Sequence, residues 1–199
     1  MFSFLETICI QDGKAQHLDF HQMRVNETFD QFFPEWEPFD VEELVTEQIL
    51  PVEGTHRLRI TYQEDPETIE ILPYTKKEIK RFALVDTGEI DYGFKWSERG
   101  FFQTFLEAHP EADEVIFVKD GKVQDCSMAN LAFLKEGIWY TPEDPLHWGT
   151  TRARLIIEEE IEETDILVEE LASYERVCLI NVFRPLSMGN SLSVADSIL

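Results

Sequence analysis

The apolar residues of this 199-residue chain come in short blocks, each closed by a turn signal. Residues 1–10 are apolar and β-branched, Gln11-Asp12-Gly13-Lys14 supplies a turn, and residues 15–20 can run back as a second strand. Asp19 can cap a helix over 21–33 that offers Met23, Phe29, Phe32 and Phe33 to a core, and the prolines of 34–38 end it. A second helix starts at Phe39-Asp40 and sets Val41, Leu44, Val45 and Ile49 at helical spacing, ahead of Pro51 and Gly54. Residues 56–62 alternate between two faces like a half-buried strand. Glu64-Asp65-Pro66 turns the chain into its hairpin partner, 68–73, and 82–85 is a further short strand.

Ser97 can begin a helix through Phe101, Phe102, Phe105 and Leu106, which Pro110 ends. Two hairpins follow, around Asp120-Gly121 and around Lys135-Glu136-Gly137. Residues 150–161 read as a helix, 166–168 as a strand, 170–174 as a short helix and 177–182 as a buried strand, and the small, polar tail from Ser187 is expected to be mobile. The pattern predicts an α+β or α/β protein of two small subdomains, 1–86 and 87–199, each built of hairpin-rich sheets with flanking helices rather than βαβ crossovers. The boundary is drawn near Asp86-Thr87-Gly88.

Charge narrows the function. Forty acidic residues against 17 basic give a net charge of −23, which repels nucleic-acid phosphates and anionic lipid surfaces alike. An anionic ligand therefore needs a local cluster of donors. Cys9, Cys126 and Cys178 are odd in number and widely spaced, which fits neither a disulfide framework nor a metal site and points to a reducing, cytoplasmic compartment. The first apolar run contains Glu6 and has no basic lead, unlike a secretory leader, and no uncharged apolar run is long enough to span a bilayer. The five histidines lack metal-ligand spacing, so no metal is expected. No dinucleotide fingerprint, P-loop or nucleophile elbow is present.

Four places carry candidate chemistry. Lys95 stands among Tyr92, Phe94 and Trp96, where desolvation would favour the neutral amine that condenses with carbonyls. Asp125 ends a strand and can serve as a buried acid or as a plain turn residue. Gly149-Thr150-Thr151-Arg152 opens a helix, a ready anion site, and Arg24 offers a further phosphate partner. Cys126 reads as a buried structural thiol.

The order and spacing of these segments resemble the class IV aminotransferases of pyridoxal-phosphate fold type IV. That family includes branched-chain and D-amino-acid aminotransferases and 4-amino-4-deoxychorismate lyase. Leu18-Asp19-Phe20-His21-Gln22-Met23-Arg24 resembles its Leu-x-x-His-x-x-Arg motif, Val123 to Leu131 its Thr-Glu-x-x-x-x-Asn segment, and Tyr140-Thr141-Pro142 with Gly149-Thr150-Thr151-Arg152 its Thr-Pro…Gly-x-Thr-Arg signature. The resemblance implies pyridoxal 5'-phosphate held in a cleft between the subdomains. Lys95 would be the Schiff-base residue, Asp125 the partner of the pyridine nitrogen, and Arg24, Thr150 and Thr151, with Asn181, the phosphate contacts. Arg59, Tyr62, Met128 and Ala129 are the candidate substrate contacts. It further implies a homodimer acting on an amino acid/keto acid pair as an aminotransferase. The alternatives are a lyase releasing pyruvate and 4-aminobenzoate, or an acidic binding protein that keeps the fold. Four departures stand out. The chain is short, Asp125 replaces the family's glutamate, Leu5 replaces a substrate-contacting tyrosine, and no arginine clearly matches the carboxylate trap of the D-amino-acid enzymes. Arg57, Arg59 and Tyr62 lie on the corresponding strand and can face either way.

Overall fold

A computed structural model describes residues 3–88, 90 and 92–199. Asp91, at the head of the lysine-bearing stretch, and the first two residues of the expected first strand lie outside the described residues. The chain forms two compact units, one running to Lys76 with Phe94–Glu98 added to it, the other comprising Lys77–Gly93 and Arg99–Leu199. The sequence drew a single boundary near residue 87. Phe94–Glu98 joins the first unit because its backbone hydrogen-bonds to Ser3 and Leu5 and its two aromatic rings enter that unit's core.

In the first unit, β1 (Phe4–Gln11), β2 (Lys14–Ala15), β3 (Thr55–Tyr62) and β4 (Pro66–Pro73) form one antiparallel sheet in the order β2-β1-β3-β4. Period-two alternation aims Phe4, Ile8 and Ile10 of β1 and Leu58, Ile60 and Tyr62 of β3 at the helices. There they meet Val25 and Phe29 of α1 (Leu18–Phe32) and Val41 and Val45 of α2 (Val41–Thr46). The opposite face carries Leu5, Thr7 and Cys9 from β1 and Arg57, Arg59 and Thr61 from β3.

Several expectations are corrected here. The return strand shrinks to Lys14–Ala15, and α1 starts at Leu18, after His17 in a left-handed conformation at φ 54°. Asp19 therefore lies in the first turn, where its charge favours the helix N-terminus, and does not cap it. Val25, Phe29 and Thr28 face the sheet, whereas Met23 is 46% exposed. Ile49, expected on the core face of α2, lies beyond the end of that six-residue helix and is 96% exposed. Asp40 does cap α2, its carboxylate accepting from the Glu43 N–H at 2.9 Å.

In the second unit, β5 (Phe82–Asp86), β6 (Glu114–Lys119) and β7 (Lys122–Cys126) form a three-stranded sheet. β5 and β6 are parallel and linked through α3 (Gly100–Ala108), a βαβ connection the sequence reading did not expect. A five-stranded sheet has the order β10-β9-β8-β11-β12, from β8 (Asn130–Lys135), β9 (Ile138–Pro142), β10 (Glu162–Thr164), β11 (Arg176–Ile180) and β12 (Ser191–Ser193). The two sheets share a core of Phe82, Ile116, Val123, Leu131, Phe133, Val177 and Leu179. The outer face of the larger sheet, at Ala132, Cys178 and Ile180, is covered by Leu155 of α4 (Thr150–Ile157) and by Ile161.

Residues 166–168 make a single antiparallel bridge, Leu167 to Lys122, with Val123 N–H donating to Ile166 O at 2.8 Å and Val168 N–H to Gly121 O at 2.9 Å, rather than a full strand. Glu162–Thr164 pairs parallel to β9, and Val168–Ser173 coils as a 3₁₀ helix. The tail is ordered as β12 and α5 (Val194–Ser197), with the Leu199 N–H donating to Phe82 O at 2.9 Å. A polar composition hid this, although Leu192, Val194 and Ile198 pack on the second unit's core.

Candidate active site

Lys95 lies in the strand-like segment that adds to the edge of β1. Leu5 N–H donates to Lys95 O and Ser97 N–H to Ser3 O, both at 2.9 Å. Trp96 bridges to Phe4 and stacks on its ring at 4.6 Å between centroids, and Phe94 meets the Phe32 ring at 4.8 Å. Both rings pack on the helix side of the sheet. Lys95 stands between them and is half-buried, in a tight turn where the Trp96 N–H donates to Phe94 O at 3.0 Å, and its charge acts on the buried His21. Tyr92 belongs to the second unit, where it packs on Phe102 and His147.

Beside that segment lies an ionic cluster. Glu6 points into the core of the first unit from β1 and is fully buried. Arg24 Nε donates to Glu6 Oε1 at 2.8 Å and Nη2 to Oε2 at 2.5 Å, and His21 Nδ1 lies 2.5 Å from Oε2. His21 and Arg24 are one helical turn apart on α1, so both reach the same carboxylate. Burial alone would raise the Glu6 acid, but the Arg24 charge and the hydrogen bonds from His21 and Arg24 outweigh it and hold the group at about 2. Burial also pushes the His21 imidazole below its ordinary range, against the pull of Glu6. A neutral His21 then donates from Nδ1 to the carboxylate and keeps a lone pair on Nε2, which is buried without a partner. Neither Glu6 nor His21 was picked out as a site residue from sequence. The signal was an acid inside an otherwise apolar strand.

In the second unit, Asp125 at the end of β7 is buried to 3% exposure. Oδ1 accepts from Asn130 Nδ2 and Oδ2 from His147 N–H, each at 2.8 Å. Burial raises its pKa to about 7 against these two bonds, the Arg152 charge and the Leu146 N–H. An unfolded aspartate titrates near ~3.9, so folding takes up a proton between that pH and about 7, and stability falls as pH rises through this window. The non-titrating Asp125→Asn is expected to flatten the fall, by on the order of 4 kcal/mol at most. Urea midpoints from pH 4 to 8 measure it, and parallel profiles for the two proteins would refute it.

Asn130 also donates to His147 O at 2.7 Å, gripping the loop that leads into α4. The next glycine is dictated by packing. A Cβ on Gly149 would lie 2.1 Å from Asn130 Oδ1, while its φ of −78° is open to any residue. Gly149→Ala is therefore expected to displace Asn130 from Asp125 and to cost about 1–3 kcal/mol, read as a lowered urea midpoint. An unchanged midpoint would show that Asn130 can move freely.

Thr150 and Thr151 open α4 and are both buried, and no side chain caps this helix start. Arg152 is buried structurally. Its Nη2 donates to Pro142 O at 2.8 Å and Glu163 at 2.6 Å, and its guanidinium lies 4.8 Å from the Trp148 ring centre. Asn181 uses both ends of its amide locally, donating to Met128 O at 3.0 Å and accepting from Phe183 N–H at 2.9 Å. It thereby ties β11 to the Ser127–Ala129 turn, which Arg99, missed from sequence, also holds through Ser127 O at 2.5 Å. Ala129 accepts from Cys126 N–H and Sγ, so its carbonyl is committed to the turn as well. The Cys126 thiol is buried, and desolvation pushes its pKa up. Tyr62 is a core residue, 1% exposed, with its hydroxyl on Thr28 at 3.3 Å. Arg59 has the opposite orientation.

An apolar strand–helix unit with a lysine on an added edge strand, followed by two sheets that hold an acid beside a helix start, is the architecture of the fold-type-IV pyridoxal-phosphate enzymes. The chain belongs to the family described as amino-transferase class IV, which it matches over residues 3–188. A crystal structure of a candidate 4-amino-4-deoxychorismate lyase from Haemophilus somnus is 35% identical, covers 94% of this chain and 98% of its own, and superposes with a TM-score of 0.87. A candidate amino-acid aminotransferase from Mesorhizobium loti, 20% identical over the whole of both chains, has a TM-score of 0.81. A Mycobacterium tuberculosis hypothetical aminotransferase solved in a pyridoxal-phosphate-bound form is 15% identical, covers 98% of this chain and 81% of its own, and has a TM-score of 0.73. An uncharacterised Haemophilus influenzae protein is 31% identical over 192 residues, covering 94% of this chain and all of its own.

Proposed function

We propose that the protein is a pyridoxal-phosphate-dependent aminotransferase acting on an amino acid/keto acid pair. The observation that carries this reading is Asp125, a buried acid with a pKa raised to about 7, hydrogen-bonded to the loop that opens into the uncapped Gly149-Thr150 helix start. Such a pairing suits a ring nitrogen and a phosphate held by one piece of chain. The donor set fits the group: an amine at Lys95, a carboxyl at Asp125, and hydroxyls and amides at Thr150 and Thr151, with Arg24 adding a cation. Asn181, with its amide already engaged, acts through the Ser127–Ala129 turn rather than on the phosphate. The protein would act as a homodimer in the cytoplasm. Among the described residues no helix is long and apolar enough to cross a membrane.

When bound, pyridoxal phosphate supplies the electron sink for a broken bond at the substrate's α-carbon. Lys95 would be the amine that takes the substrate's α-proton and returns it. Asp125 would hold a proton at the ring nitrogen. Glu6 keeps Arg24 aimed, because two guanidinium nitrogens are fixed on its oxygens.

The lyase reading shares the first proton transfer and is favoured by the likeness to the Haemophilus somnus protein at 35% identity. One experiment separates them. The cofactor-loaded protein is given amino-acid and keto-acid pairs, then 4-amino-4-deoxychorismate. Amine exchange without pyruvate supports the aminotransferase, and pyruvate release supports the lyase. Neither product, with no borohydride-sensitive absorbance, overturns both and leaves an acidic binding protein of the same fold.

A further inference from the structure

The segment that carries Lys95 is an excursion from the second unit. The chain leaves that unit after Gly93, passes through Phe94–Glu98 and returns at Arg99, the residue before α3. Lys95 therefore sits on a short loop whose two ends, Tyr92-Gly93 and Arg99, belong to the unit that holds Asp125.

Arg99 closes the base of this loop. Its guanidinium lies 5.7 Å from the ring centre of Tyr92, just ahead of the excursion, and 5.3 Å from that of Phe102, in the first turn of α3. The Tyr92 and Phe102 rings meet edge to face at 4.9 Å, and both residues are buried. Arg99 Nη2 donates to Ser127 O at 2.5 Å, in the turn that follows Asp125, while Nε is shut away from solvent without a partner. A surface arginine ordinarily keeps its head in water or on a carboxylate. Arg99 is instead half-buried against two rings and a carbonyl.

A second tie runs from the other end of the loop to the same place. The His147 ring lies 5.6 Å from that of Tyr92, its Nδ1 is 3.2 Å from Gly93 O, and its backbone N–H donates to Asp125 Oδ2 at 2.8 Å. The turn after Asp125 has little slack, since Cys126 N–H donates to Ala129 O, Asn181 Nδ2 to Met128 O and Asn130 Nδ2 to Asp125. Both ends of the lysine loop are thus fastened to the backbone around one acid.

We propose that Arg99 is a positioning residue for the reaction. It clips the base of the loop that carries Lys95 to the turn that follows Asp125, and so fixes the point from which the amine is presented. This rests on the reading of Lys95 as the reacting amine and adds a residue to it. A guanidinium suits the task because it can lie against aromatic rings and donate in its own plane at once. A brace for the fold alone would act on the whole second unit, not on the loop and the turn.

Arg99→Met keeps an apolar stem and removes the plane and the donor. In the cofactor-free variant, amide hydrogen exchange is expected to rise about tenfold over residues 92–99 and 126–130 and to stay parental in β8, β9 and β11. The loaded protein is then given an amino acid/keto acid pair or 4-amino-4-deoxychorismate, whichever the wild type turns over. There kcat should fall by on the order of 10- to 100-fold with KM within about twofold, because binding is kept and the amine is misplaced. Arg99→Lys keeps a donor for Ser127 O and should recover part of both losses. Faster exchange spread over the whole second unit, unchanged exchange and kcat, or an Arg99→Lys protein as impaired as Arg99→Met overturns the proposal. The cofactor reading fails separately, through the absence of a borohydride-sensitive band in the wild-type protein with added pyridoxal phosphate. The exchange comparison does not depend on that band.

Discussion

Glu6→Ala is expected to destabilise the protein by about 3–5 kcal/mol, the largest effect of any single truncation considered for stability. The carboxylate is fully buried and takes two bonds from Arg24 and one from His21, so its removal takes these acceptors from a buried guanidinium charge and a buried imidazole N–H. Such a loss is a large share of the total for a domain of this size. Glu6→Gln should be milder, because an amide oxygen still accepts from Arg24. The pH dependence has a definite sign. The folded acid is held at about 2, below the unfolded value near ~4.3, so its contribution is complete above the unfolded value and disappears as pH falls through about 2. Urea unfolding at neutral pH tests the first statement and a descending pH series the second. A Glu6→Ala protein as stable as its parent would mean that Arg24 swings out to water at little cost.

Lys95→Ala should leave folding intact and remove the chemistry. Phe94, Trp96 and the backbone bonds to Leu5 and Ser3 hold the segment whatever residue stands between them. The expected result is a protein with parental urea midpoint, no borohydride-sensitive absorbance with added pyridoxal phosphate, and turnover below detection. Added small primary amines should restore part of the proton transfer, since the missing group is an amine and a base. Persistence of the band in Lys95→Ala would move the reacting amine elsewhere in the chain.

How far the sequence could be read depended on the kind of signal. The hairpins around Asp12-Gly13, Asp120-Gly121 and around Glu136-Gly137 were legible because paired left-handed residues demand that chemistry, and all six have positive φ. β3 was legible from its alternation, yet alternation alone could not say which side was inside. Only pairing with β1 shows Tyr62 in the core and Arg57 and Arg59 on the other face. The aromatic residues around Lys95 were legible as a cluster, but the partners of Phe94 and Trp96, the rings of Phe32 and Phe4, are tertiary and were not. Asp125 and the Gly149-Thr150-Thr151 turn were found as separate motifs. Their connection through Asn130 and the 146–147 backbone is tertiary, and no local spacing encodes it.

The last strand carries a consequence for synthesis on the ribosome. The first unit has all its parts once Glu98 has emerged, with the lysine segment already zipped to the edge of β1. The second unit stays open until β12 has docked on β11 and Ile198 has reached Phe82, more than a hundred residues upstream. A nascent chain thus completes its amine-bearing half early and waits with the other half exposed, which makes the stretch between those two moments the interval in which a chaperone has most to protect.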